Sequence, residues 1–200
     1  GSDQFAVTDL LVPEAFALHA PARGADAVRR EPGLLYCFSN LLLYAAGFGA
    51  VAMGIARSTL ASFIELARDK IPRGSKGTLR TNNVIQAQIS QCWARLQSSR
   101  AYLRNVVAAM WDEAQRTGKI SAEHHPELRL SSTWAIHNAR DVVATVYHAA
   151  GASAIFESNP LERRMRDIHA GTQQGQGRPI HFETVGQMLM GLPPQGRMFR

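Results

Sequence analysis

Cysteine is nearly absent: Cys37 and Cys92 are the two in 200 residues. So small a number excludes a disulfide framework, and no zinc-ligand spacing occurs in the chain, so no metal site is expected. Both cysteines fall within apolar helical patterns, where a free thiol behaves as a small hydrophobe. Aromatic residues are scarce as well, at 8%. The arginines scattered through 23–30, 57–80, 95–104 and 163–178 have no aromatic interleaving, unlike a stacking platform for single strands, so nucleic acid is not an expected partner. Internal repeats, low-complexity tracts and a secretory or transit signature are also missing. Gly1-Ser2 reads as an expression remnant and no initiating Met follows it. The chain is therefore expected to begin inside a longer, cytoplasmic gene product.

What is present is enough apolar material for one core, with 46% hydrophobic residues, and a length that argues for one main domain. The net charge of +6, from 22 Lys and Arg against 16 Asp and Glu, suits an anionic small molecule without requiring a polymer.

The apolar periodicity predicts an all-α chain with a short N-terminal exception. Residues 4–12 are rich in β-branched and apolar types and stop at Pro13-Glu14, which predicts one short strand, although no partner strand follows. The Pro- and Gly-containing stretch 19–33 reads as a loop. A long helix is expected from Leu34 to Lys70. Its apolar run over 34–56 has the length of a membrane span, but Ser39, Asn40, Gly47, Gly49 and Gly54 interrupt it. It reads instead as a buried bundle helix whose glycines permit close packing against a neighbour or a ligand.

Thr81 or Asn82 caps a second helix running to Arg116, with Ile85, Ile89, Cys92, Leu96, Leu103, Val106 and Met110 on one stripe and Thr117-Gly118 as its stop. A third runs from about Glu127 to Ala150, with Leu128, Trp134, Ala139, Val142 and Val146 inward. The fourth starts after Asn159-Pro160, where proline suits a first helical position. Four helices joined by short connections give an up-down-up-down four-helix bundle. From about Val185 onward a tail is expected.

Two segments could carry chemistry. Arg73, Lys76 and Arg80 lie in the turn before the second helix, where cations and free amides suit a phosphate. A solvated basic turn has the same composition. Arg57, on the preceding helix, is a lesser candidate for the same groove. Further on, Arg163 and Asp167 are spaced for an ion pair, and His169 can exchange a proton near neutral pH. His137 and His148, eleven residues apart, are too widely spaced to share a metal. Trp93, Trp111 and Trp134 read as packing residues.

The residues Gly151, Ala152, Asn159, Pro160, Leu161, Arg163, Arg166 and Asp167 follow a pattern of a small-residue helix end, then Asn-Pro-Leu-x-Arg, then Arg-Asp. In this the chain resembles the C-terminal helical domain of the acyl-CoA dehydrogenase superfamily, in the branch of two-component flavin-dependent monooxygenases. The resemblance implies residues 1–33 as the end of a truncated β-domain and a linker, 34–190 as the bundle and 191–200 as a tail. It further implies FAD or FMN as cofactor, with Arg73, Lys76 and Arg80 at the flavin's phosphates. The partners it implies are an aromatic or polycyclic substrate, a flavin reductase and a homotetramer.

Two departures from the family pattern bear on the chemistry. Many monooxygenases of this branch carry a histidine eight residues after the Arg of Arg-Asp, and that position here is Gln174. Glutamine can hydrogen-bond a substrate but cannot carry its proton, so either Gln174 positions substrate or His169 or His181 supplies the proton. Many acyl-CoA dehydrogenases place a Glu before Gly-Thr. Here Ala170 precedes Gly171-Thr172, and the nearest later carboxylate is Glu183. An acyl-CoA dehydrogenase and a non-catalytic oligomerisation module are the alternatives, and the chain alone is expected to be inactive.

Overall fold

The computed structural model describes residues 3–17 and 31–194. Within them the chain is all-α, with helices α1 (Asn40–Asp69), α2 (Asn83–Thr117), α3 (His124–Ala150), α4 (Pro160–Thr172) and α5 (Ile180–Leu189). Most of the loop expected at 19–33, and the end of the tail, lie outside the described residues.

The strand expected at 4–12 is not formed. Residues 3–17 carry one short helical turn, Glu14–Phe16, and otherwise irregular, exposed backbone, with Phe5 86% and Leu11 90% accessible. A strand needs a paired neighbour to be stable, and the described residues contain none. The β-propensity at 4–12 was thus a local signal without a tertiary partner.

The first helix starts later than Leu34. Leu34–Cys37 form a separate 3-10 turn, and Ser39 then takes extended backbone and caps α1 by accepting from Leu42 N at 3.4 Å. Such a cap fixes the helix start because it satisfies an amide that has no partner within the helix. Cys37 is accordingly outside the helix, where its Sγ donates to Gly118 O at 3.3 Å, while Cys92 is buried in α2 as expected. Helix α1 is long and apolar enough to cross a membrane by length and composition. One face of it, including Ala45, Ala52, Ala56, Leu60 and Phe63, is buried in the core with Val142, Val143 and Val146 of α3.

Of the three α1 glycines expected to permit close packing, Gly49 does so. A Cβ there would meet Leu103 Cδ2 at 3.1 Å and Ser132 Cα at 3.4 Å, whereas Gly47 and Gly54 have open space. Helix α2 begins at Asn82, whose side chain accepts from Val84 N and Ile85 N, and ends at Gly118 with φ 72°. On its predicted stripe Cys92, Leu96, Leu103, Val106 and Met110 are buried, while Ile85 and Ile89 are half-buried.

Helix α3 is the centre of the molecule. It begins three residues before the expected Glu127, and Leu128, Ala139, Val142 and Val146 are inward as predicted. Trp134 is not: it is 46% exposed, and Trp93 and Trp111 are also partly exposed. The expected fourth helix is two. Asn159 caps α4 through Leu161 N, Pro160 holds its first position, and a turn at Gly175–Gly177 separates it from α5. Residues 185–189, expected to be tail, thus belong to a helix, and Val185 is buried.

Candidate functional site

The basic turn after α1 is built by its neighbours. Lys70 ends α1, and its Nζ donates to Ala150 O, the last carbonyl region of α3, and to Ser153 Oγ at 2.7 Å. A cation at a helix C-terminus satisfies orphan carbonyls and meets the negative end of the helix dipole. Ser153 O in turn accepts from Asn159 Nδ2 at 2.8 Å. The 70–82 turn and the 151–159 connection are therefore joined at one end of the bundle.

Arg73, Lys76 and Arg80 are exposed on this turn, and none of them forms an ion pair among the described residues. The first free amides of α2, those of Val84 and Ile85, are already taken by Asn82 Oδ1 at 2.9 and 3.2 Å. What the turn offers a phosphate is thus its three cations rather than those amides. Beside them Thr78 Oγ1 is buried without a hydrogen-bond partner, an unmet polar atom of the kind a bound group satisfies. These residues fit a flavin's pyrophosphate or phosphate.

Between α1 and α2 runs an open furrow of about 870 Å³, whose lining includes Arg57, Arg100, Arg104, Trp93 and Trp111. A second depression of about 460 Å³ continues it past Trp93 towards Arg80. Arg57 therefore lines a groove, and Trp93 and Trp111 border it instead of filling the core. Trp111 stacks on Phe38 with ring centroids 6.2 Å apart. Periodicity alone does not separate a residue facing the core from one at the lip of a groove.

His169 and Gln174 are both exposed, and no hydrogen bond joins their side chains. Arg163 and Asp167 pair as expected, at 3.6 Å on the surface. Arg166 makes a two-pronged bond to Glu162 at 2.6 and 2.9 Å, which holds the Glu162 carboxyl below its ordinary range. Arg164, given no role above, docks α4 on α1 through Ser58 O at 2.9 Å and Ser62 Oγ at 2.7 Å.

The polar cluster that the sequence did not reveal lies just after Gln174. Arg129 Nη1 donates to Gln176 Oε1, Thr133 Oγ1 donates to Gln176 O at 3.1 Å, and His137 Nε2 bonds Gly177 O at 2.8 Å. From α5, His181 Nε2 bonds Gly175 O at 2.7 Å. A carbonyl only accepts, so both imidazoles donate through Nε2. Phe182 packs edge-on against His137 at 5.4 Å.

Arg129 is 1% exposed, with its Nη2 lacking a hydrogen-bond partner, and burial pushes its pKa down to about 10. Burial first, and then the nearby Arg129 charge, lower the pKa of His125; for His181 the same two causes outweigh its bond to Gly175. No group of three or more metal-ligating side chains occurs among the described residues. The legible trace of this cluster was the spacing of four between residues 129, 133 and 137, which places them on one helix face.

The sequence profile of the acyl-CoA dehydrogenase C-terminal domain matches residues 46–176. The chain belongs to this family. Its acyl-CoA dehydrogenase fold is shared by XiaF from Streptomyces sp., solved in complex with FADH2 and glycerol, with a TM-score of 0.76 and 19% identity over 82% of this chain and 42% of that one. The 3-HSA hydroxylase of Rhodococcus sp. RHA1 gives a TM-score of 0.76 with 19% identity, covering 84% of this chain and 44% of that one. In sequence the chain is 25% identical over 194 residues to indole-3-acetate monooxygenase of Pseudomonas putida, covering 97% of this chain and 49% of that protein. The chain spans about half the length of the curated relatives it matches.

Proposed function

We propose that this chain is the C-terminal domain of a flavin-dependent monooxygenase that hydroxylates an aromatic or polycyclic substrate. The observation that carries the reading is the chemistry around the Gly175–Gly177 turn. Among the described residues, Arg129, Thr133, His137 and Gln176 hydrogen-bond one another and the backbone carbonyls of the turn, and no carboxylate takes part in those bonds. An acyl-CoA dehydrogenase needs a carboxylate base for the α-proton. Glu183 is instead exposed on α5, near Gln187. The likeness to indole-3-acetate monooxygenase across nearly the whole chain supports the same reading.

Arg73, Lys76 and Arg80 would hold the phosphates of FAD or FMN, with Thr78 beside them. Reduced flavin, when bound, would supply two electrons, which with two protons take one atom of oxygen to water while the other enters the substrate. Gln174 positions the substrate through its amide, and His169 supplies or accepts the proton. A separate flavin reductase, a homotetrameric assembly and a cytoplasmic setting complete the proposal. The part of the relatives that this chain does not span is proposed to complete the pocket, and the chain alone is proposed to be inactive.

The test uses the full-length parent loaded with reduced FAD and mixed with oxygen and indole-3-acetate. A product that has gained one oxygen atom supports the monooxygenase. Oxidised flavin that is bleached without oxygen by butyryl-CoA, with no hydroxylated product, supports the dehydrogenase. A parent that binds no flavin leaves the oligomerisation module.

A further inference from the structure

We infer that Arg129, Thr133 and His137 of α3, together with His181 of α5, are positioning residues that lock the Gly175–Gly177 turn and so present Gln174 to substrate from a fixed backbone. What Gln174 meets rests on the monooxygenase reading; the lock itself rests on geometry alone.

Four consecutive carbonyls of this segment are tied down. Gln174 O accepts from Gly177 N at 2.9 Å, and the next three accept from His181, Thr133 and His137 at 2.7, 3.1 and 2.8 Å. Three of the four side-chain donors come from one face of α3 at a spacing of four, which stacks them about 6 Å apart along the helix axis. A connection between two helices has no general need of this, because loop carbonyls are ordinarily left to water. Here the carbonyls point into the protein and use two imidazoles and a buried hydroxyl.

The Gln176 side chain adds a fourth anchor in Arg129, a guanidinium whose partner is a neutral amide and whose Nη2 is bare. Burying a charge against so weak a partner is costly, and local cost of this kind persists where a particular geometry is held. The backbone is also pressed against its support. A Cβ at Gly177 would lie 3.1 Å from Thr172 O and 3.3 Å from Ile136 Cγ2. The one side chain of the segment left outward by this arrangement, between the clasp and α4, is that of Gln174, which is exposed. Its backbone is fixed and its amide is free to engage a ligand.

Two measurements test the inference. Amide hydrogen exchange is compared in this chain for wild type, R129M, T133V and H137Q. The lock predicts exchange at 174–178 faster by about tenfold or more in R129M and T133V, little change in H137Q, where the glutamine amide can still donate, and in α1 and α2 only the smaller rise that the loss of global stability gives. Product formed per oxygen consumed is then measured in the full-length parent with reduced FAD and indole-3-acetate, for R129M, R129K, Q174A and the R129M/Q174A double variant. Positioning predicts that R129M and Q174A each lower the yield, that the double variant is no worse than the poorer single, and that R129K recovers part of the loss. Unchanged exchange in R129M and T133V overturns the lock. Faster exchange with an unaltered yield, or with losses that multiply in the double variant, overturns the positioning role. A wild-type parent that hydroxylates nothing while the exchange result holds overturns the monooxygenase reading, and with it the role of Gln174, but leaves the lock in place.

Discussion

Arg129 reaches across 47 residues of sequence to donate to the side-chain oxygen of Gln176, and both side chains are buried. The pair is asymmetric, since one member is a cation and the other a neutral amide. Removing the acceptor leaves a charge stranded, whereas removing the cation leaves only an amide. Gln176→Leu is therefore expected to lower stability by about 3 kcal/mol, and Arg129→Met by roughly half as much. The double variant should be more stable than Gln176→Leu alone. Urea unfolding of the four proteins checks this; strictly additive losses would show that the two side chains are not energetically coupled.

Stability should also decline on mild acidification. His181 and His125 both have folded pKa values below the ordinary histidine value, first because they are buried and next because Arg129 is near; Arg178 adds to the effect on His181 and His124 to that on His125. Below the unfolded value of about 6.5 the unfolded chain binds more protons than the folded one. The stabilising contribution is therefore whole above that pH and is lost as pH falls through the window beneath it. Melting temperature is expected to drop between pH 7 and pH 5, and less steeply in His181→Asn. The depressed Glu113 and Glu162 carboxyls act at lower pH, so they do not account for loss in this range.

The Lys70 bridge from the end of α1 to the C-terminal end of α3 gives a prediction away from the Gly175–Gly177 turn, which is held by residues in the first half of α3. Lys70→Met keeps much of the aliphatic stem but removes the donor to Ala150 O and Ser153 Oγ. A loss of about 1–2 kcal/mol is expected from these charge-assisted bonds. Amide exchange should rise in 151–158 and leave the Gly175–Gly177 turn unaffected. A uniform rise over the whole chain would contradict a local bridge.

How much of this was legible beforehand depended on whether the signal was local. Asn82, Gly118 and Asn159-Pro160 announce helix ends because capping and proline geometry involve only neighbours in sequence, and the structure uses all of them. Ser39 carried the same information but was outweighed by the apolar run around it. The strand at 4–12 failed because pairing requires a partner elsewhere. Trp134 sat on a plausible stripe, yet helical phase over 27 residues leaves room for error at its edge. Arg73, Lys76 and Arg80 could be put forward together because their turn is continuous in sequence. The Arg129–Thr133–His137 face was missed because its meaning depends on a turn some 40 residues later.

Removing the exposed cations of the basic turn should separate binding from stability. Arg73, Lys76 and Arg80 are solvent-facing and form no ion pair among the described residues, so changing all three to Gln is expected to shift the melting temperature little. The same change in the full-length parent should weaken FAD binding by roughly tenfold or more, equivalent to at least about 1.4 kcal/mol, and should flatten its dependence on salt. Equilibrium dialysis at low and high ionic strength measures both. Unaltered affinity would remove these residues from the cofactor site.

Two glycines should respond in opposite directions to the same added methyl group. Gly54 lies within α1, and a Cβ there meets nothing within 4 Å. Gly54→Ala should therefore stabilise the chain by about 0.5–1 kcal/mol, since alanine loses less backbone entropy in a helix. At Gly177 the new carbon would stand 3.1 Å from Thr172 O and 3.2 Å from Thr172 Cα, which are backbone atoms unable to rotate away. Relief requires the turn to move off α3, stretching the bonds that Thr133 and His137 make to it. Gly177→Ala is expected to cost about 1–3 kcal/mol and to speed amide exchange at 174–178 in the manner of Arg129→Met. Thermal unfolding of the two alanine variants reads the difference in sign. A neutral Gly177→Ala would mean that the turn has slack against α3, and a turn with slack could not hold Gln174 in a single place.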